Sequence, residues 1–206
     1  MTHALTDIVT KRTAHEDGTL YWTLRRYHRM VNAGVLGPED KVELLRGKLI
    51  EKLSINPPHA STMSKLQKLL VPRLFGKYEL RYESPITLFD DSEPEPDCVV
   101  AELSENSYEN SHPTGRQIFL LVEVASVSLT KDRTVKMKLY AESGIPEYWI
   151  INLREGKLEV HLRPDPRGGT YGSLTHYLRD SVFTSPFVGE VTVNDLVPEV
   201  LPEEEE

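Results

Sequence analysis

A single carboxylate inside an apolar run is the first candidate for chemistry in this chain. Glu123 falls within residues 118–126, which are otherwise almost entirely apolar. A short run of this composition is typical of a strand that is covered on both faces of its sheet. Because an unpaired carboxylate is costly to bury, Glu123 is expected to pair with a cation, shift its pKa or bind a metal ion.

A second acid stands at the entrance of another apolar segment. Asp97 follows Pro96 and precedes residues 98–101, Cys-Val-Val-Ala, which predict a neighbouring buried strand. Asp97 and Glu123 could then meet at one end of the sheet. Strand alternation places Glu123 and three of its neighbours on one face of the sheet: Phe119, Leu121, Glu123 and Ala125.

A predicted helix over residues 131–143 could bring a lysine to the same place. Three of its residues share a face through i, i+4 spacing: Asp132, Lys136 and Tyr140. Lys138 lies about 200° around the helix from Lys136. Only one of the two lysines can therefore face the sheet, and we expect it to be Lys136.

These residue types suit metal-dependent cleavage of a phosphodiester. The carboxylate oxygens of Asp97 and Glu123 are the hard ligands that Mg²⁺ and Mn²⁺ prefer. Such a cation lowers the pKa of a bound water and stabilises the charge that develops on the phosphate. Lys136 would orient that water or neutralise charge in the transition state.

Each of the three residues also has a structural interpretation. Asp97 could be a turn residue at the entrance of its strand. Glu123 could be buried beside a structural cation. Lys136 could be a solvated lysine paired with Asp132, an exposed interaction worth only about 0.3–0.5 kcal/mol.

Two more residues are weaker candidates. His59 follows two prolines and is interpreted first as a helix-start residue and second as a ligand. Glu43 is interpreted first as an exposed acid in a hairpin and second as a further carboxylate of the metal site.

Composition predicts one ordinary globular domain. The 206 residues carry a net charge of −8, of which residues 203–206 supply four charges. This acidity argues against a broad basic surface for nonspecific nucleic-acid binding. One cysteine excludes an internal disulfide and a cysteine-based zinc site. With no apolar stretch near 18 residues and no signal-peptide pattern, we expect a cytoplasmic protein that does not enter a membrane.

The order of predicted elements indicates an α/β or α+β fold with a mixed sheet. We expect a flexible segment over residues 1–20, a single domain over 21–200 and an acidic tail over 201–206. Thr23 should cap a helix that runs to about Ala33. The further elements are a hairpin over 42–51, a helix over 59–74, strands over 78–88, 98–101, 118–126, 147–152 and 158–162, loops over 102–115 and 163–170, and short strands within 173–193. Residues 118–152 should form a right-handed βαβ crossover.

Several of these segments together resemble the Uma-type putative restriction endonuclease family, a branch of the PD-(D/E)XK nuclease superfamily. The likeness spans roughly residues 22–197 and is most specific from Glu123 to Ile151. The matching segments are Val-Glu-Leu-Leu-Arg-Gly-Lys-Leu-Ile-Glu at 42–51, His59, Glu-Pro-Asp-Cys-Val-Val at 95–100, Leu-Val-Glu-Val-Ala-Ser at 121–126, the series Asp132, Lys136 and Tyr140, and Gly-Ile-Pro-Glu-Tyr-Trp-Ile-Ile at 144–151.

The resemblance implies a restriction-endonuclease-like core, with a mixed central sheet flanked by helices and with an N-terminal helix and hairpin added. It implies that Asp97 and Glu123 bind the metal, and it matches Glu43, His59 and Tyr140 to accessory positions. One departure is clear, because the superfamily's lysine two positions after the glutamate is Ala125 here. Lys136 is the natural substitute.

Three functions stay open at this point. The first is a Mg²⁺- or Mn²⁺-dependent DNA endonuclease, expected to be a homodimer because two sites are needed to cut two strands. The second is a non-catalytic module that binds nucleic acid or protein and retains the nuclease fold. The third is a nuclease whose substrate is RNA or single-stranded nucleic acid.

Overall fold

The computed structural model describes residues 14–52 and 56–198. The helices are α1 (Leu24–Asn32), α2 (Pro57–Leu74), α3 (Leu129–Lys131) and α4 (Met137–Glu142), and a π-helical turn, Asp132–Lys136, joins the last two. The strands are β1 (Val42–Leu45), β2 (Lys48–Glu51), β3 (Glu79–Tyr82), β4 (Cys98–Ala101), β5 (Ile118–Ala125), β6 (Glu147–Asn152), β7 (Lys157–Asp165), β8 (Thr170–Leu178), β9 (Val182–Ser185) and β10 (Gly189–Thr192). Short 3₁₀ turns occupy Gly115–Gln117 and Val193–Asp195.

A six-stranded mixed sheet of order β3-β4-β5-β6-β7-β8 forms the centre of the fold. Strands β5 and β6 are parallel and all other neighbours are antiparallel. The parallel pair is joined by α3, the π-helical turn and α4, as a βαβ crossover requires. The predicted mixed sheet and α+β class are therefore confirmed.

Helices cover both faces of the sheet, so its central strands are buried on both sides. On one face, Leu66 and Leu70 of α2 pack with Leu120 and Val122 of β5. On the other face, Leu139 and Tyr140 of α4 pack in a second core, whose β5 members are Ile118, Leu121 and Ala125. This burial explains why the β5 sequence is almost continuously apolar.

The predicted face of Phe119 is wrong. Val100 of β4 pairs with Leu120 while Ala101 pairs with Ile118, so Phe119 is the extra residue of a β-bulge. Its ring lies against Tyr78 and Phe187, on the α2 side of the sheet. Beyond the bulge the alternation holds.

Several element boundaries differ from the predicted ones. Strand β3 ends at Tyr82 because Glu83 takes a left-handed conformation, with φ of 46°, ahead of Ser84 and Pro85. Helix α2 begins two residues early, since Asn56 caps it and proline is well suited to a first helical turn. Half of the predicted loop over residues 163–170 is strand, because β7 runs to Asp165 and β8 begins at Thr170, which leaves a turn over residues 166–169.

The N-terminal helix and hairpin form as predicted. The Thr23 side chain accepts a hydrogen bond from the Arg26 N–H, and Gly34 follows α1 with a left-handed φ of 68°. Arg46 and Gly47 connect β1 to β2 with φ of 52° and 74°, the signs that a type I′ turn needs.

Parts of the predicted domain layout lie outside the described residues, including residues 1–13 and the tail over 201–206. Within the described part of the N-terminal segment, Ala14 and Leu20 form an isolated bridge, and His15 Nε2 lies 3.1 Å from the Gly47 carbonyl oxygen. In the described ranges, no helix is both long and apolar enough to cross a bilayer.

Candidate active site

The ends of β4 and β5 open into a cavity of about 450 Å³. The hairpin, the start of α2 and the π-helical turn complete its walls. Its titratable lining residues include Glu43, His59, Glu83, Asp97, Glu123, Lys131, Asp132 and Lys136. One end of the sheet therefore gathers acids and lysines from several elements and from the residues next to β3 and β4.

Glu123 is held at the floor of this cavity by two donors. Its Oε1 accepts hydrogen bonds from Lys136 Nζ at 2.9 Å and from the Tyr140 hydroxyl at 2.7 Å. Oε2 has no hydrogen-bond partner among the described residues. The side chain is 3% exposed, and burial raises the pKa of Glu123 to about 8 although Lys136 opposes the shift.

Lys136 is buried between two carboxylates. It is 4% exposed, and its Nζ lies 2.9 Å from Glu123 Oε1 and 3.3 Å from Glu43 Oε2. Burial alone would lower the pKa of Lys136, but the acids around it raise that pKa above its usual value. The interpretation as a solvated lysine paired with Asp132 is therefore wrong. Lys138, by contrast, is 61% exposed and lies 4.0 Å from Glu142.

Glu43 is buried, so its interpretation as an exposed hairpin acid is also wrong. Its Oε1 accepts a hydrogen bond from Lys131 Nζ at 2.8 Å, and Oε2 accepts one from the Glu95 N–H at 3.2 Å. The hairpin is docked against the domain, which buries most of β1 on both sides. The two lysines hold the pKa of Glu43 below its ordinary value against the effect of burial.

Asp97 links the two central strands and the start of α2. Its Oδ2 accepts a 2.6 Å hydrogen bond from the Val124 N–H of β5, and its Oδ1 lies 3.1 Å from His59 Nε2. The interpretation of His59 as a helix-start residue is confirmed, and its role as a ligand stays a prediction. His59 lies in the first turn of α2, where its N–H donates to Asn56 Oδ1, and its ring faces the cavity. The Asp97 contact raises the pKa of His59.

A third residue joins Asp97 and His59 in a cluster with metal-ligand geometry. His59, Glu83 and Asp97 each offer one ligand atom, and these atoms all lie within 4.8 Å of one another. The sequence did not indicate Glu83 as a site residue, because its position depends on its own left-handed backbone conformation directly after β3. Its N–H also donates to the Asp97 carbonyl oxygen at 3.1 Å.

Asp132 was noted in the sequence only as a neighbour of Lys136 on the helix. It is 1% exposed and lines the cavity. Neither of its carboxylate oxygens has a hydrogen bond of normal geometry in the part of the chain that the structure describes, although the Ser128 side chain is close enough to lower its pKa. Burial raises its pKa, while Lys136 acts in the opposite direction. The shared helix face could have identified this residue as a site candidate.

The residues present fit a hard divalent cation. Carboxylate oxygens predominate, Oε2 of Glu123 accepts no hydrogen bond from the described residues, and the two oxygens of Asp132 are buried acceptors without a well-formed hydrogen bond. Such orphaned acceptors are costly unless a cation or a hydrated ion satisfies them. A cation could be held by Asp97 and Glu123, with His59 and Glu83 at the side of the cavity.

Comparison with known proteins identifies the family and a similar fold. The family model described as "Uma2: Putative restriction endonuclease" matches residues 24–194. The chain is also similar in fold to a crystal structure of a putative nuclease belonging to DUF820 from Anabaena variabilis ATCC 29413, with a TM-score of 0.65 and 20% sequence identity. That similarity covers 84% of this chain and 96% of the other chain. No curated protein matches the sequence.

Proposed function

Because this chain belongs to the Uma2 family of putative restriction endonucleases, we propose that it is a metal-dependent endonuclease that hydrolyses phosphodiester bonds of DNA. The observation that carries this proposal is the contact of buried Lys136 with Glu123 in the cavity that Asp97 also lines. Two acids and an ammonium at the end of two central strands are the groups that such hydrolysis needs.

We propose Asp97 and Glu123 as the ligands of Mg²⁺ or Mn²⁺. When bound, the cation would acidify a water molecule and neutralise charge on the phosphate. Glu123 supports this role because Oε1 is fixed by two donors while Oε2 is free to bind. Asp97 supports it because its hydrogen bond to the Val124 N–H fixes the carboxylate relative to β5.

Lys136 is proposed to act on the phosphate or on the attacking water. An ammonium group has three donors, and Glu123 and Glu43 account for two directions around Nζ. The third can donate to a phosphate oxygen. Hydrolysis forms one bond from a water oxygen to phosphorus and breaks one bridging P–O bond, and a proton from that water ends on the leaving oxygen.

Glu43, His59 and Tyr140 are proposed as positioning residues. Glu43 and Tyr140 each contact a group at the centre of the site, Lys136 and Glu123 respectively. His59 holds Oδ1 of Asp97. We further propose that the enzyme works in the cytoplasm as a homodimer, since two active sites can cut both strands of a duplex.

One observation favours the alternative of a non-catalytic binding module. Most of the charged groups are already paired, Glu43 with Lys131, Glu123 with Lys136 and Asp97 with His59. A network of this kind can stabilise a fold without catalysis. The two functions differ in whether a divalent cation binds and whether phosphodiesters are cut.

Cleavage of labelled oligonucleotides tests the proposal and its substrate class. Duplex DNA, single-stranded DNA and RNA would each be incubated with Mg²⁺, Mn²⁺ or EDTA and the wild-type protein, Asp97→Asn or Glu123→Gln. We expect cation-dependent cleavage of duplex DNA that falls at least about 100-fold in both variants. Asp180→Asn, at an exposed position outside the cavity, should cut as the wild type does.

Three other outcomes of the cleavage experiment would lead to different conclusions. Cleavage confined to RNA or single-stranded DNA would keep the hydrolytic centre and change its substrate. Cleavage that persists equally in both variants would mean that Asp97 and Glu123 are not the acids that hold the catalytic cation. No cleavage of any substrate, with no binding of either cation, would favour the non-catalytic module.

A further inference from the structure

Asp132 is a buried acid that forms no ion pair with another described residue. Its side chain is 1% exposed and both carboxylate oxygens lack a hydrogen bond of normal geometry, although the Ser128 side chain is close enough to lower the pKa of Asp132. Other buried acids of the domain are satisfied differently. Glu147 accepts hydrogen bonds from Trp149 and Ser185, and Glu159 is paired with Arg133. Asp132 therefore differs from the acids that serve the fold.

The backbone around Asp132 explains where its side chain points. Met137 N–H donates to the Asp132 carbonyl oxygen five residues earlier, which is the hydrogen bond of a π-helix. The Tyr148 hydroxyl donates to the same carbonyl oxygen at 3.2 Å. This wide turn is held on the sheet side, and the Asp132 side chain lines the same cavity as Glu123 and Asp97. Turns of this type often occur at functional sites.

Lys136, the lysine four residues after Asp132, is paired with other acids. Lys136 Nζ lies against Glu123 and Glu43, and no ion pair joins it to Asp132 in the described part of the chain. The centre of the cavity holds four carboxylates and two lysines, which leave two negative charges when all are ionised: Glu43, Asp97, Glu123 and Asp132 with Lys131 and Lys136. A divalent cation would supply the missing charge.

We propose that Asp132 is a further cation-binding residue of this cavity, which accepts hydrogen bonds from water molecules bound to a divalent cation held by Asp97 and Glu123. Mg²⁺ in proteins usually keeps several of its waters. A carboxylate near the ion can accept hydrogen bonds from these waters through both of its oxygens, without contacting the ion itself. This inference rests on the proposed function, because it assumes the same cation.

Calorimetric titration with Mn²⁺ and thermal melting test the role of Asp132. The proteins are wild type, Asp132→Asn, Glu123→Gln and Asp180→Asn, the last as a matched exposed Asp-to-Asn control. We expect Asp132→Asn to bind Mn²⁺ at least about tenfold more weakly than wild type. In EDTA the same variant should melt no lower than wild type, because it removes a buried charge that forms no ion pair with another described residue.

A structural role would give the opposite pattern. Asp132→Asn would then melt several degrees lower in EDTA and would bind Mn²⁺ as tightly as wild type, which would overturn the inference. Asp132→Ala, which leaves room for water, provides a second variant with the same two readouts. If neither variant folds, Asp132 serves the fold and the inference is likewise overturned.

The Glu123→Gln arm separates this inference from the proposed function. Mn²⁺ binding that is lost in Glu123→Gln and unchanged in Asp132→Asn would overturn only the role of Asp132. Absence of Mn²⁺ and Mg²⁺ binding by the wild type would overturn both the role of Asp132 and the metal-dependent nuclease.

Discussion

Lys136 Nζ lies 2.9 Å from Glu123 Oε1, although the two residues are 13 positions apart and belong to a helical segment and a strand. Ala125, two positions after Glu123, is fully buried in the core that also contains Tyr140 of α4. The ammonium group of Lys136 thus reaches Glu123 from the face of the sheet that α4 covers. The centre of the site depends on this contact between two elements.

Replacing Lys136 with methionine should destabilise the protein strongly. Met keeps most of the apolar stem but removes the charge, so Glu123 loses its cation and Glu43 keeps only Lys131. Breaking a buried pair on one side typically costs about 3–5 kcal/mol in the free energy of unfolding. Urea denaturation measures this cost. Lys138→Met provides the matched control, and we expect it to change stability by less than about 0.5 kcal/mol. Equal effects of the two variants would contradict the contact.

Removing the Tyr140 hydroxyl should weaken the site without creating a large cavity. Tyr140→Phe deletes the 2.7 Å hydrogen bond to Glu123 Oε1. Hydrogen bonds to charged groups contribute about 1.5–3 kcal/mol, so we expect a loss of stability in that range by urea denaturation at about pH 9, where Glu123 is ionised. Tyr177→Phe, at a half-buried position outside the cavity, is the control and should be nearly neutral. A neutral Tyr140→Phe would mean that Lys136 alone fixes Glu123.

Cation affinity should increase with pH. Burial raises the pKa of Glu123 to about 8, so this acid keeps its proton to a higher pH than an exposed glutamate. A metal ion binds the ionised form, and the proton therefore competes with it. We expect Mn²⁺ affinity to rise from pH 6 to pH 8.5 and binding at pH 7 to release protons. Calorimetry in two buffers of different ionisation enthalpy measures both quantities. An affinity independent of pH would contradict this account of Glu123.

A buried histidine that does not line the cavity should make the fold sensitive to acid. His161 is buried between Tyr148 and Tyr171, its Nε2 has no partner among the described residues, and burial lowers its pKa to about 4. Its folded pKa is therefore below the unfolded value of about 6.5. The contribution of His161 is fully present above pH 6.5 and is lost as the pH falls toward 4.

The loss attributable to His161 is about 3 kcal/mol over this interval. Urea denaturation of wild type and His161→Phe between pH 7 and 4 measures it, because phenylalanine keeps the ring contacts and cannot be protonated. The variant should lose less stability than wild type across the interval. Parallel curves for the two proteins would show that another group causes the acid sensitivity.

Local periodicity predicted the part of the site that single elements determine. Alternation along β5 and the helical spacing of Lys136 and Tyr140 are properties of one strand and one helix, so the sequence alone was enough to orient them. The burial of Glu43 was not predictable, since it depends on docking of the hairpin against the domain. The position of the Glu83 side chain depends on the left-handed backbone conformation of Glu83 itself. The face on which Phe119 lies depends on a β-bulge. That Asp132 forms no ion pair with another described residue is likewise a tertiary property, which the series Asp132, Lys136 and Tyr140 did not reveal.

The most direct test of the central claim is conversion of supercoiled plasmid to nicked and linear DNA with Mg²⁺ or Mn²⁺. Wild type, Asp97→Asn, Glu123→Gln and Lys136→Met would be purified in parallel, with Lys138→Met as the control. We expect cation-dependent nicking by wild type and Lys138→Met, and its loss in the other three variants. Nicking by Glu123→Gln at the wild-type rate, or wild-type nicking that survives EDTA, would contradict the claim that these residues form a metal-dependent nuclease site.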